Sequence, residues 1–181
     1  MKNIFLFLLI SFTLMVDINA QEYRKFKVGL GTGFTITGSA EPGDYTGVQF
    51  AIEPVYHIND DFTLGLRLAF ADTHISIFGT GRPIGSYALN SQYYFGNKKF
   101  RPTVGAGVGW FVITSYYYID TKYSITKFGF YPRAGFEYGH FYMAMEYNFI
   151  PPSEEGYYDN IKNSYFGMRL GFFIGGGRKT T

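Results

Sequence analysis

Six charged residues hold the chemistry this chain could do: Glu53, Glu137 and Glu146, with Arg67, Arg133 and Arg169. Three carboxylates and three guanidiniums can line a polar pore, work a gate, or neutralise one another as buried pairs. The width of the space they share decides among these. The histidines His57, His74 and His140 raise a different chemistry, base-assisted nucleophilic attack. Only His74-Ile75-Ser76 has a base and a hydroxyl at close spacing, and it falls in an expected loop. A base and a nucleophile without an orienting third group make an incomplete site, so no catalytic residue is assigned. No two histidines stand at ligand spacing, and neither a metal nor a cofactor is expected. Gly31, Gly33, Gly105, Gly107 and Gly109 alternate within strands, with no helix following, so a phosphate-binding loop is excluded.

The elements that must position the charged set follow from an alternation that recurs along the chain. In Phe26–Ile36, every second residue reads Phe, Val, Leu, Thr, Phe, Ile, and those between read Lys, Gly, Gly, Gly, Thr. Strict alternation marks a strand with different surroundings on its two faces. Eight segments share it: Phe26–Ile36, Val48–Ile58, Phe62–Phe70, Gly85–Phe95, Phe100–Val112, Phe128–Tyr138, Phe141–Phe149 and Tyr165–Ile174. Each has about the 9–11 residues of a tilted membrane-spanning strand. The bulky face carries no charge, as in Phe62, Leu64, Leu66, Leu68 and Phe70. Lys27, Glu53, Arg67, Arg101, Arg133, Glu137, Glu146 and Arg169 all fall on the other face, which is too small and too charged to fill a dry core. A basic side chain facing lipid at the midplane costs roughly 2–4 kcal/mol, whereas a lumen tolerates it. The bulky face therefore looks outward into lipid, and the sheet must close to satisfy its backbone.

The connections alternate too. Asn59-Asp60-Asp61, Gly96-Asn97-Lys98-Lys99 and Gly139-His140 are tight turns, while Thr37–Gly47, Ala71–Ile84, Ile113–Lys127 and Ile150–Ser164 are long loops. The expected fold is all-β: an eight-stranded antiparallel transmembrane β-barrel with short periplasmic turns and long extracellular loops. Such a barrel is just wide enough for side chains to fill, which favours a lumen plugged by Glu53, Arg67, Arg133, Glu137, Glu146 and Arg169 over an open pore. Pro54, Pro102 and Pro132 each remove a ladder donor and are expected at bulges or strand ends.

Met1-Lys2-Asn3, the apolar run Ile4–Val16 and Asp17-Ile18-Asn19-Ala20 describe a secretory signal peptide cut after Ala20. An uncleaved anchor is the alternative, although the run falls short of the roughly 20 residues a spanning helix needs. The expected organisation is a signal peptide over 1–20, a periplasmic segment over 21–25, the barrel over 26–174 and a flexible tail over 175–181. The chain has no cysteine, so an exported domain must be stable without disulfides. A formal charge of only +2 gives no case for nucleic acid.

In this pattern of strands, turns and loops the chain resembles the small eight-stranded outer-membrane barrels, the family of the transmembrane domains of outer-membrane proteins A and X. Tyr165, Gly167, Met168, Leu170 and Phe172 look like the terminal-strand signal that the barrel insertion machinery reads in that family, with Leu170 in place of an aromatic. The resemblance implies an outer-membrane location, lipid and the insertion machinery as partners, and a scaffold that presents loops for adhesion or envelope integrity. A narrow solute or ion channel is the first alternative. A lipid-modifying enzyme is a second, and a soluble ligand-carrying barrel is the competing architecture. Among the loop tyrosines, Tyr117 and Tyr158 are the candidates for recognition of an extracellular ligand.

Overall fold

The computed structural model describes residues 24–37, 45–73, 82–117, 121–155 and 158–176. Among them are ten strands: β1 (Phe26–Thr37), β2 (Tyr45–His57), β3 (Phe62–Asp72), β4 (Pro83–Tyr94), β5 (Phe100–Tyr117), β6 (Thr121–Tyr138), β7 (Phe141–Asn148), β8 (Ser153–Glu155), β9 (Tyr158–Ile161) and β10 (Tyr165–Gly175). Eight of these close into a barrel in the order β1-β10-β7-β6-β5-β4-β3-β2, with antiparallel pairing at every seam. Closure leaves no strand edge through the bilayer, which is what a sheet in hydrocarbon requires.

The faces sort as the alternation predicts. Leu64, Leu66, Leu68 and Phe70 are exposed on the outside of β3, while Thr63 and Arg67 are buried inside it. Aromatic side chains gather at both ends of the outer wall. Phe26, Tyr56, Tyr93, Phe95, Phe100, Tyr138 and Phe141 ring the short-turn end. Tyr87, Trp110, Phe128, Phe130 and Phe149 stand toward the long-loop end, where Phe130 stacks on Phe149 with ring centroids 4.7 Å apart. Phe100 and Trp110 lie ten positions apart on β5. At about 3.3 Å per residue and a tilt of about 40°, that spans about 25 Å, the height of the apolar band of an outer-membrane barrel.

The tight turns are built from the residues that suit them. The Asn59 Oδ1 accepts hydrogen bonds from the backbone N–H groups of Asp61 (3.0 Å) and Phe62 (2.6 Å), an Asx turn that hands the chain from β2 to β3. Gly139 takes φ +63 between β6 and β7, a conformation that L side chains rarely adopt.

Three expectations need correction. Pro54 and Pro132 sit neither at bulges nor at strand ends. The β2–β3 ladder skips the Pro54 level but resumes in the same register, Ile52 opposite Leu68 and Val55 opposite Gly65. The β6–β7 ladder likewise skips Pro132 between the Phe130–Phe149 bridge and the Arg133–Glu146 pair. Each proline removes one donor while its ring faces outward, and the rest of the closed ladder holds the register. Second, the segment read as the loop Ile113–Lys127 largely continues the hairpin. Both β5 and β6 run for 18 residues, and Thr114–Tyr117 pairs only with β6, beyond the point where β4 begins. Third, the segment read as the loop Ile150–Ser164 contains the hairpin β8–β9. At the other end β10 extends one residue past the expected barrel boundary, to Gly175. The expected signal peptide, His74 and Ser76 lie outside the described residues.

Candidate functional site: the charged lumen

The interior is filled in three layers. Nearest the short turns, Lys27 on β1 forms an ion pair with Glu137 on β6, and its Nζ lies 3.9 Å from the centre of the Phe173 ring. Tyr94 packs beside it, with the Arg101 guanidinium 4.5 Å from the Tyr94 ring centre. The Arg101 side chain also ties two turns together, donating to the backbone oxygens of Gly96 (3.0 Å) and Asp60. His57 is buried in this layer, its ring 5.8 Å from that of Tyr94. His140 lies in a turn instead, its Nδ1 3.0 Å from the Phe173 carbonyl.

The middle layer is a continuous chain of ion pairs across the lumen. Arg133 Nη1 on β6 donates to both Glu53 oxygens on β2, each at 2.9 Å. Arg169 Nη2 on β10 bridges Glu53 Oε1 at 2.8 Å and Glu146 Oε2 on β7 at 2.9 Å. Arg67 Nη1 on β3 closes the chain on Glu146 Oε1 at 2.5 Å, and its Nη2 donates to Asn148 Oδ1 at 3.0 Å. Five of the eight barrel strands thus contribute a charge to one buried cluster. Charge-assisted bonds of this kind are the strong ones, and each buried ion here has at least one opposite partner. Because every strand faces the lumen at alternate positions and the sheet closes on itself, partners 23 to 116 residues apart in sequence meet within a few ångströms inside the barrel.

Above the charges lies an apolar layer: Ile84, Phe111, Ile113, Tyr131, Ile150 and Tyr165, all buried in one cluster. The Tyr131 ring forms its floor, 3.7 Å from the Arg67 guanidinium carbon. The fourth loop supplies Ile150 as part of the lid. Ser164 holds the Ile150 backbone at 3.1 Å, Asn163 Nδ2 donates to the Pro151 carbonyl at 2.6 Å, and Arg82 Nη2 donates to Ser153 Oγ at 3.1 Å.

Glycines make room for the long inward side chains. A Cβ at Gly107 would stand 2.3 Å from the Tyr131 Cζ, and one at Gly171 would meet the Tyr142 ring at 2.6 Å. Gly107→Val is therefore expected to destabilise the folded barrel by about 1–3 kcal/mol through overpacking. Urea unfolding from lipid vesicles would measure it, and a wild-type midpoint would show that the Tyr131 layer yields.

The six residues named from the sequence are all buried in the lumen, yet they do not form one set. Glu53, Arg67, Arg133, Glu146 and Arg169 join, whereas Glu137 pairs separately with Lys27. Lys27 and Asn148 belong to the site and were missed as members of it. The inward alternation of β1 already placed Lys27, but nothing local announced its partner. Of the terminal-strand residues, Tyr165 and Gly167 are buried inward, while Met168, Leu170 and Phe172 face outward on the strand that closes the barrel. Tyr117 ends β5 and Tyr158 opens β9; their side chains lie outside the described residues.

A closed cylinder with an apolar exterior, aromatic girdles and a charged interior defines a membrane-spanning β-barrel. The chain matches the family model of the outer membrane protein beta-barrel domain over residues 4–174, and it belongs to that family. Its fold is similar to that of Neisserial surface protein A, at 17% identity with a TM-score of 0.66, covering 87% of this chain and 99% of that one. It is also similar to the N-terminal β-barrel domain of Pseudomonas aeruginosa OprF, at 17% identity with a TM-score of 0.50, covering 85% and 98% of the two chains. These likenesses carry the fold alone. Comparison with curated proteins finds no match.

Proposed function

We propose that this protein is a closed outer-membrane scaffold, exported through its N-terminal signal, that presents folded loops at the cell surface for adhesion or envelope integrity. The observation that carries the reading is the filled lumen. A cross-barrel ion-pair chain from Arg133 to Arg67 lies directly beneath the apolar layer of Phe111, Ile113 and Tyr131. A conducting path would have to break buried ion pairs and also wet an apolar plug, two separate costs. The β5–β6 hairpin, with its exposed Tyr123, and the β8–β9 hairpin supply the presented surface, with Tyr117 and Tyr158 at strand ends there. Outer-membrane lipid is the partner of the apolar wall, and β10 is the segment the insertion machinery would engage. No catalytic role is assigned: His57 is enclosed by the lumen charges, and His140 bonds a backbone carbonyl.

Planar bilayer recording tests the reading. Purified barrel is expected to insert without discrete conductance steps. Reproducible single-channel steps would replace the scaffold with the narrow-channel alternative.

A further inference from the structure

The outer wall is not evenly filled. A groove of about 590 Å³ crosses it from β1 to β5. The outward row Phe26, Tyr56, Leu64, Ser91 and Ala106, in register across all five strands, forms one bank. Leu66, Leu89 and Val108 form the other. Ser91 and Ala106 are short, and the groove is open where they stand.

Strand stagger makes the groove climb. Phe26 is the first residue of β1, Leu64 the third of β3 and Ala106 the seventh of β5, so the row leaves the short-turn rim and rises into the wall. Five strands at about 4.8 Å per step give a length of about 19 Å. One leaflet of the hydrocarbon core is about 15 Å deep. An inclined groove of that length stays within one leaflet and takes one acyl chain.

Basic charge gathers at the lower mouth. Arg24 and Lys25 directly precede Phe26, and both are exposed. The Lys25 carbonyl accepts from the His57 N–H at 2.7 Å, which fixes this segment against β2. The carboxylates of the adjoining turn, Asp60 and Asp61, belong to half-buried residues, and Asp61 lies 3.9 Å from Arg101. The mouth thus presents two cations beside the exposed rings of Phe26 and Tyr56, which mark headgroup level.

We propose that this groove seats one anionic phospholipid of the leaflet at the short-turn end, its phosphate at Arg24 and Lys25 and one acyl chain along the groove. The wall meets hydrocarbon, so the occupant of the groove is an acyl chain, and the two cations select the headgroup. A zwitterionic lipid brings a cation to the same mouth and gains less. The seat rests on the lipid-facing wall and is independent of whether the lumen conducts.

The test is mass spectrometry of the intact barrel, folded in detergent with equimolar phosphatidylglycerol and phosphatidylcholine. One phosphatidylglycerol is expected to stay bound, favoured over phosphatidylcholine by about fivefold or more, since each basic residue near an anionic headgroup contributes about that factor. Arg24→Gln with Lys25→Gln should abolish the preference; both positions precede β1, so the barrel still folds. Ala106→Phe fills the groove and should lower retention of both lipids, with folding checked by heat-modifiable gel migration. Lys98→Gln with Lys99→Gln, at exposed positions on another turn of the same end, should leave the preference in place. Equal retention of the two lipids by the wild type, unchanged retention in folded Ala106→Phe, or an equal loss in the Lys98 and Lys99 variant would overturn the proposal.

Discussion

Replacing Glu146 with glutamine is expected to cost the folded barrel about 3–5 kcal/mol, the range for breaking a buried ion pair by removing one partner. Glu146 accepts from Arg67 and Arg169, so its loss leaves three arginines around the single carboxylate of Glu53. Arg133→Gln should cost clearly less. Glu53 keeps Arg169 at 2.8 Å after that change, and the middle layer becomes two arginines with two carboxylates. The order of the two effects follows from the excess of buried positive charge, not from the number of bonds lost. Urea unfolding midpoints in lipid vesicles would measure both variants side by side. An equal or larger loss for Arg133→Gln would mean that the cluster is already neutralised by solvent entering the lumen.

Leu66→Arg should cost about 2–4 kcal/mol, because it presents a guanidinium to hydrocarbon near mid-strand on β3. Its neighbour in sequence, Arg67, has the same head group fully buried on the opposite face and is held there by Glu146 and Asn148. One step along a strand changes the solvent from lipid to a charged lumen. The measurement is the folded yield and unfolding midpoint in vesicles. Leu66→Ala serves as a control that removes the side chain without adding charge. Leu66→Arg folding as well as the alanine control would contradict a lipid-bathed exterior.

The period-two pattern made the fold legible because lipid punishes error so strongly. Every outward position of β3 from Phe62 to Phe70 is uncharged and every buried lumen charge lies on an inward one, so strand identity, facing and the even count could be read locally. The turns were legible for a similar reason, since Asn59 and Gly139 are residue types that meet a specific backbone demand. The upper hairpin was harder to read. Beyond the bilayer nothing enforces two-faced alternation, and the segment from Ile113 through Lys127 reads as polar and mixed even though β5 and β6 pair through it. Pro54 and Pro132 misled in the other direction. Their local cost is real, but a register pinned on both sides of the skipped level absorbs it.

The candidate site divides along the same line. Sequence alone determined that Glu53, Arg67, Arg133, Glu137, Glu146 and Arg169 face a lumen, because facing is a property of each strand by itself. Only the tertiary structure decided the pairing: Arg169 between Glu53 and Glu146, Glu137 with Lys27 instead of an arginine, and Tyr131 sealing the layer above. Those partners lie on strands that are distant in the chain. They meet through barrel closure and strand stagger, global quantities that no single segment encodes.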